Sequence, residues 1–421
     1  MISNIITMMA RRQFSRAMQF NEGETISLPR GDGSPQRLLY IHIPFCESLC
    51  PYCSFNRVVF EEPLCRRYFD ALRREIVMYR ERGYDFGGIY VGGGTPTVLP
   101  DELEETLILA RESFSIGEIS VETNPNHLTP ETLGILKRAG VNRLSVGVQS
   151  FDDGLLRAMG RYEKYGSGAE ICRRLKDTLG YFDTLNADMI FNFPTQTAAT
   201  MSADLDTLIE TGVDQVTYYP LMVSDSTRRE VKKTLGKIDP GRERAFYDMI
   251  VRKLGPFYRS SSAWCFARKG AMIDEYIVTY GEYAGLGSGS IGYLEGRCYA
   301  NTFDIPRYIE ILQGGELPLM ACRHFSVQER VRYDFLMQLF GMELDMTSLR
   351  RRYGRVYLFY LWKEILAFML AGGLRYREGT LSLTDRGRYY WVIMMREFFT
   401  AVNNFRDFCL RDNRNTPFHG H

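Results

Sequence analysis

Apolar runs of strand length alternate with amphipathic stretches of helix length along most of this chain. The runs fall at Leu38 to Ile43, Gly88 to Val91, Ile119 to Thr123, Arg143 to Val148, Ala187 to Phe193 and Val213 to Pro220. Helical periodicity fills the intervals near 64–82 and 101–114, and Thr129 followed by Pro130 marks a capped helix start. Strands that are apolar throughout, each followed by a helix, predict a parallel sheet covered on both faces. Six such units predict an α/β fold, an open or full barrel, with its active site where strand C-termini meet the loops that follow.

The two ends depart from this pattern. Residues 21–36 are polar and rich in Gly and Pro, which reads as a linker. Before them, Ile2, Ile5, Ile6, Met8, Met9, Phe14 and Phe20 mix with Arg11, Arg12 and Arg16. That mixture fits either a helix covering its own domain or one lying on a membrane surface. Past about residue 321 the pattern turns helical, near 328–341 and 357–371, with a turn at Gly372 to Gly379 and a closing aromatic helix near 387–408. The expected division is an N-terminal extension and linker over 1–36, a barrel with its extension over 37–320, and a small, mainly helical, winged-helix-like domain over 321–421. The run Arg350, Arg351, Arg352, Arg355 reads as a solvated helix face or a phosphate contact.

Charge narrows the partners. Lys and Arg number 52 against 51 Asp and Glu, so no global field advertises nucleic acid. Six of the nine cysteines (Cys65, Cys172, Cys265, Cys298, Cys322, Cys409) are scattered singly, unlike a secreted disulfide framework, which predicts a reducing cytoplasm. No apolar run reaches the roughly 18 to 20 residues of a membrane helix, so a soluble protein is expected, with peripheral membrane contact through residues 1–20 left open.

The other three cysteines carry the chemistry. The first strand runs to Pro44, and the chain continues Cys46-Glu-Ser-Leu-Cys50-Pro-Tyr-Cys53. Thiolates this close select an iron-sulfur cluster or zinc, and clusters are normally held by four cysteines. The missing fourth leaves a coordination position for a small chelating ligand. None of His42, His127, His324, His419 and His421 stands at a partner spacing for zinc.

Further candidates recur at strand ends. Gly92-Gly93-Gly94-Thr95-Pro96 follows the second strand, where bare backbone can approach a ligand. Glu122 follows the third strand, Gln149 ends the fourth and Asp188 lies in the fifth. Together these polar groups outline a pocket rim.

The phrase Tyr40-Ile-His-Ile-Pro-Phe-Cys46-x3-Cys50-x2-Cys53, then GGGTPT, VETNP, SVGVQSF, MGR, DMIFNFP and GLGSGSIG at 285–292, resembles the HemN-like branch of the radical S-adenosylmethionine (SAM) superfamily. The resemblance implies a partial six-unit α/β barrel and a 4Fe-4S cluster held by Cys46, Cys50 and Cys53. An open iron would take SAM and cleave it to a 5′-deoxyadenosyl radical, with an electron donor such as flavodoxin or ferredoxin. It further implies one SAM against Tyr40, Gly93, Glu122 and Ile291, and a second against Tyr52, Gly94, Thr95, Gln149, Arg161 and Asp188, with Phe55 beside the last cluster cysteine.

Two departures choose among subfamilies. The oxygen-independent coproporphyrinogen III dehydrogenases carry a further cysteine where this chain has Phe55, and the heme chaperones carry an HNxxYW motif where it has Ile273-Asp-Glu-Tyr-Ile-Val278. What remains resembles the class C radical SAM methyltransferases, which methylate sp² carbons. The expected function is then methylation of the naphthoquinone ring of menaquinone using two SAM molecules, with a heme-directed methyltransferase that opens the heme ring, a coproporphyrinogen III dehydrogenase-like enzyme or a heme chaperone as alternatives; Tyr357, Phe359, Tyr360 and Trp362 are candidates to cover such a ring.

Overall fold

The computed structural model describes residues 2–20, 27–34, 36–268 and 276–411. A parallel sheet carries the candidate motifs. β1 (Leu38–Ile43) is followed by a small parallel pair, β2 (Phe45–Cys46) and β3 (Val58–Val59), that brackets the cysteine loop. β4 (Gly88–Gly93), β5 (Glu118–Thr123), β6 (Arg143–Gln149), β7 (Thr184–Phe191) and β8 (Gln215–Pro220) then add one after another, all parallel. Their burial is continuous rather than alternating, β4 reading buried at five successive positions, because helices cover the outer face.

The sheet extends beyond the expected six strands. On one side it continues through the antiparallel β10 (Cys265–Ala267) and β9 (Arg259–Ser260). On the other, β11 (Tyr283–Leu286) lies parallel to β1, and β12 (Ile291–Leu294), β13 (Arg297–Asn301) and β14 (Leu319–His324) follow as an antiparallel meander. The order β14-β13-β12-β11-β1-β4-β5-β6-β7-β8-β10-β9 is an open sheet of 12 strands, not a closed barrel. The short alternating runs after residue 283, broken by glycines, hid this meander from periodicity.

Helix starts follow local chemistry. Thr129 accepts from the Thr132 amide with Pro130 in the first turn, and Ser167, Thr197 and Ser326 each form reciprocal capping boxes. After β14 come helices Val327–Phe340, Met346–Tyr353 and Val356–Leu370, then a small antiparallel sheet ordered β15 (Glu343–Asp345), β17 (Thr380–Leu383) and β16 (Leu374–Arg377), and the closing helix Asp385–Arg411. The expected turn at 372–379 is thus the start of a hairpin.

The N-terminal helix Ile2–Ala17 covers its own protein. Ala10 and Phe14 are buried, Phe14 meets Phe398 edge-on at 5.5 Å, and Arg11 pairs with Glu397 at 2.9 Å, so the segment is docked along the closing helix. Arg323 caps it by donating to the Arg16, Ala17 and Gln19 carbonyls. Of the expected linker, residues 21–26 and 35 lie outside the described residues, as do His419 and His421.

Candidate functional site

Cys46 ends β2, and Cys50 and Cys53 follow in the loop that leads to β3, just past the C-terminal end of β1. The loop is cinched by Arg57, which donates to the carbonyls of Cys50 at 2.6 Å and Cys53 at 2.8 Å. Thr95 donates to the Cys46 sulfur at 3.6 Å. A Cβ on Gly94 would lie 2.6 Å from the Phe45 carbonyl oxygen and 3.0 Å from the Cys46 sulfur, so only glycine lets the two loops close on each other. Burial pushes the Cys46 thiol up to about 11, with the Thr95 hydrogen bond acting against it.

On one flank the first set comes together. Glu122 accepts from the Tyr90 hydroxyl at 2.9 Å and from the Gly93 amide at 3.2 Å, and Tyr90 stacks on Tyr40 with centroids 6.2 Å apart. Gly93 holds φ at +116°, and a Cβ there would strike the His42 ring at 2.6 Å. Tyr40 bonds His42 Nδ1 at 2.9 Å, while His42 Nε2 faces the Asn56 carbonyl at 2.9 Å. Burial lowers the His42 pKa to about 4. The ring is therefore neutral, Nε2 carries the proton to the carbonyl, and Nδ1 accepts from Tyr40. Ile291, at the start of β12, lines the same cavity as Tyr40.

The second set gathers around Arg161 on the other flank. Its fully buried guanidinium reaches the Gly147 carbonyl, Asn124 Oδ1 at 3.3 Å, the Tyr52 hydroxyl at 3.4 Å and the Cys50 sulfur at 3.8 Å. Asn124 passes the link on to Thr95 at 2.8 Å. Gly147 is paired across the sheet with Asp188, whose carboxylate takes Ser145 at 2.7 Å and Asn186 at 2.8 Å. Gln149 follows a register shift and holds a positive φ of 73°, which turns the chain at the strand end. Gly94 joins Gly93 of the first flank to Thr95 of the second along the chain, and Phe55, two residues past Cys53, stands 54% exposed.

Motif and spacing do not single out every member of this constellation. In the sequence His42 reads only as a candidate metal ligand, although it sits two residues from Tyr40 in one strand and thus on the same face. Glu75 is fully buried on helix Glu62–Glu81, where it accepts from the Tyr308 hydroxyl, the Gly287 amide at 2.9 Å and Asn301 at 2.8 Å. Its place among Leu72, Ile76 and Tyr79, on the apolar stripe, was the available signal.

The donor set fits an iron-sulfur cluster. No three described His, Cys, Asp or Glu side chains converge on a single ion, which a mononuclear site requires; in a cluster each thiolate takes its own iron. Arg57 Nε and Nη1 and Arg161 Nε are buried beside the cysteines with no partner among the described residues, leaving donors for an anionic group.

Beside the first flank opens a cavity of about 830 Å³, bounded by Tyr40, Ile291 and Phe55, the N-terminal helix and the closing helix. Its walls include Tyr293, Phe325, Tyr333 and Phe398, and Arg323, Arg332 and Arg406 line it as well. The expected ring-covering residues are elsewhere. Tyr357 is buried in the helix core, Phe359 and Trp362 face solvent, and Tyr360 packs against the core; that helix contributes Glu364 and Phe368 to the cavity instead. Residues 273–275 of the segment compared with the chaperone motif lie outside the described residues.

Comparison with known proteins matches this architecture. The chain fits the radical SAM superfamily over residues 40–208. It is 30% identical to the heme chaperone HemW of Lactococcus lactis over 282 residues, 64% of this chain and 73% of that protein. The chain belongs to the HemN-like branch of the radical SAM superfamily. It is also 29% identical to HemW of Bacillus subtilis, covering 83% of this chain and 95% of the relative. The solved structure of coproporphyrinogen III oxidase (HemN) from Escherichia coli, a radical SAM enzyme, superposes with a TM-score of 0.74 at 23% identity, over 92% of this chain and 93% of that one, and shows the same fold. As a radical SAM enzyme this protein works with a 4Fe-4S cluster and SAM.

Proposed function

We propose that this enzyme acts on a tetrapyrrole held in the cavity between the sheet edge and the closing helix. The observation that carries the reading is the cavity itself. At about 830 Å³ it is at the large end of small-molecule sites, it begins at Tyr40 and Ile291, and it pairs aromatic walls with arginines. A flat macrocycle suits Tyr293 and Tyr333, whose rings lie 4.5 Å apart, and its carboxylates suit Arg12 and Arg16 of the N-terminal helix, since Arg323, Arg332 and Arg406 are paired with Glu329, Glu364 and Asp407. The similarity to heme chaperones supports a tetrapyrrole over the naphthoquinone expected from sequence.

Cys46, Cys50 and Cys53 would hold the cluster, which supplies the electron that splits SAM into methionine and a 5′-deoxyadenosyl radical. The chain's own residues bind and orient. Glu122 and the Gly93 amide offer a polar edge beside Tyr40. The neutral His42 fixes the Tyr40 hydroxyl, and the buried rims keep water from the reacting centre. Flavodoxin or ferredoxin would deliver the electron.

A second reading is methyl transfer to an sp² carbon using a second SAM. It is favoured by the network that joins Tyr52, Thr95 and Arg161 through Asn124, and by Phe55 in place of a further cysteine.

The test is anaerobic incubation of reconstituted protein with reductant, SAM and, separately, heme, coproporphyrinogen III and a demethylated menaquinone, with products read by mass. A modified tetrapyrrole alongside 5′-deoxyadenosine supports the proposal, and a gain of one methyl with S-adenosylhomocysteine adds the second reading. Turnover of the quinone alone overturns the tetrapyrrole assignment. Stoichiometric heme binding with no product would make the protein a carrier.

A further inference from the structure

Helix Val356–Leu370 is apolar apart from Lys363 and Glu364, yet among the described residues only half of it is covered. Tyr357 and Leu361 are buried, Phe368 meets Trp391 at 5.0 Å, and Glu364 pairs with Arg332 at 2.7 Å, so one face is fixed to the domain. The opposite stripe, Leu358, Phe359, Trp362, Leu366, Met369 and Leu370, is exposed, with Phe359 at 73%, Trp362 at 52% and Leu370 at 80%. At 100° per residue these six fall within about a third of a turn, which makes one contiguous patch rather than scattered side chains.

Cations lie on the elements that adjoin it. Arg350 and Arg351 sit on the preceding helix, Arg355 at the N-cap, Lys363 over the Trp362 ring at 5.4 Å, and Arg375 and Arg377 flank the exposed Tyr376 on β16, with Arg377 alone among them paired to a described carboxylate, Glu378 at 3.4 Å. Arg352 stands apart, pinned to Asp334 at 3.0 Å. The whole chain carries a net charge of only +1, so this positive rim is local.

We propose that this face docks the protein on an anionic lipid bilayer, with Phe359, Trp362, Leu366 and Leu370 inserted at the headgroup boundary and the arginines on lipid phosphates. An apolar stripe bordered by Trp, Tyr and basic residues matches the depth profile of a membrane interface. A second copy of the chain fits poorly, because a two-fold contact through the patch would bring two positive rims together. Glu364 and Phe368, on the reverse of the same helix, line the large cavity, so docking would set that cavity close to the lipid surface. The inference does not depend on which substrate is used.

The protein supplies its own reporter, since Trp264 and Trp391 are fully buried and Trp362 is the third of the three tryptophans. Anaerobically purified full-length protein would be co-sedimented with vesicles of phosphatidylcholine alone or mixed with phosphatidylglycerol. Partition should favour the anionic vesicles by about tenfold and weaken in high salt, with a blue shift of Trp362 emission. The double variant Phe359→Ser/Leu370→Ser should lose binding, and Arg350→Glu/Arg355→Glu should weaken it by about tenfold, each with unchanged circular dichroism and iron content. Absence of partition, equal partition into both vesicles, or indifference to these substitutions would overturn the proposal. So would self-association that Phe359→Ser/Leu370→Ser abolishes without any lipid effect.

Discussion

The Glu75 carboxylate accepts the Gly287 amide at 2.9 Å, tying the first long helix to the glycine-rich segment that leads into Ile291. Burial pushes this carboxyl up to about 7, with Tyr308, Gly287 and Asn301 acting against the shift. The native state then holds a proton between the ordinary carboxylate range and about pH 7 that the unfolded chain has released. Stability therefore falls as pH rises through that window and levels off above it. Glu75→Gln should flatten this dependence, so that urea midpoints at pH 6 and pH 8 differ less in the variant than in the wild type. An unchanged pH dependence would exclude Glu75 as its source.

His42 acts in the opposite direction. With its pKa lowered to about 4 by burial, the folded ring stays neutral while the unfolded one protonates below about 6.5, so stability falls with acidification between those values. Tyr40→Phe removes the donor to Nδ1 and leaves a buried acceptor unpaired, at about 1–3 kcal/mol. Chemical denaturation at neutral pH checks the cost.

Replacing Cys46, Cys50 and Cys53 together by alanine should remove iron, inorganic sulfide and SAM cleavage. The loop keeps its other ties, since Arg57 holds carbonyls rather than sulfurs. Native-like circular dichroism with no bound iron is the expected pair of results, and retained iron would move the cluster elsewhere.

Arg161→Lys keeps the charge but loses the planar fork that spans Gly147, Asn124 and Tyr52. SAM should bind about tenfold more weakly, as one or two charge-assisted hydrogen bonds are lost, with iron content unchanged. Equilibrium binding of SAM to the reconstituted variant reads this directly.

Val402→Trp, on the cavity wall, should block the substrate while leaving the cysteine loop untouched. Substrate-dependent product should vanish, while 5′-deoxyadenosine formed in the absence of substrate persists. Equal loss of both would place Val402 closer to the SAM site than the cavity implies.

The parallel sheet and the place of its chemistry are legible in the order of residues alone. Apolar runs such as Leu38 to Ile43 coincide with β1, and the cysteine, triple-glycine and Glu122 motifs all fall at the C-terminal ends of strands, Gly93 closing β4 and Glu122 within the last two residues of β5, because these signals are local in spacing. Whatever depends on distant partners emerges only once the chain is folded. Folding joined Glu75 to Gly287 and Arg161 to Cys50, added β11 to the edge of β1, and laid the N-terminal helix along the closing helix. It also turned Phe359 and Trp362 outward from a helix whose composition reads as core. Periodicity reports which residues share a face, but what covers that face is settled by elements far away in sequence, and for Phe359 and Trp362 by no described element of this chain.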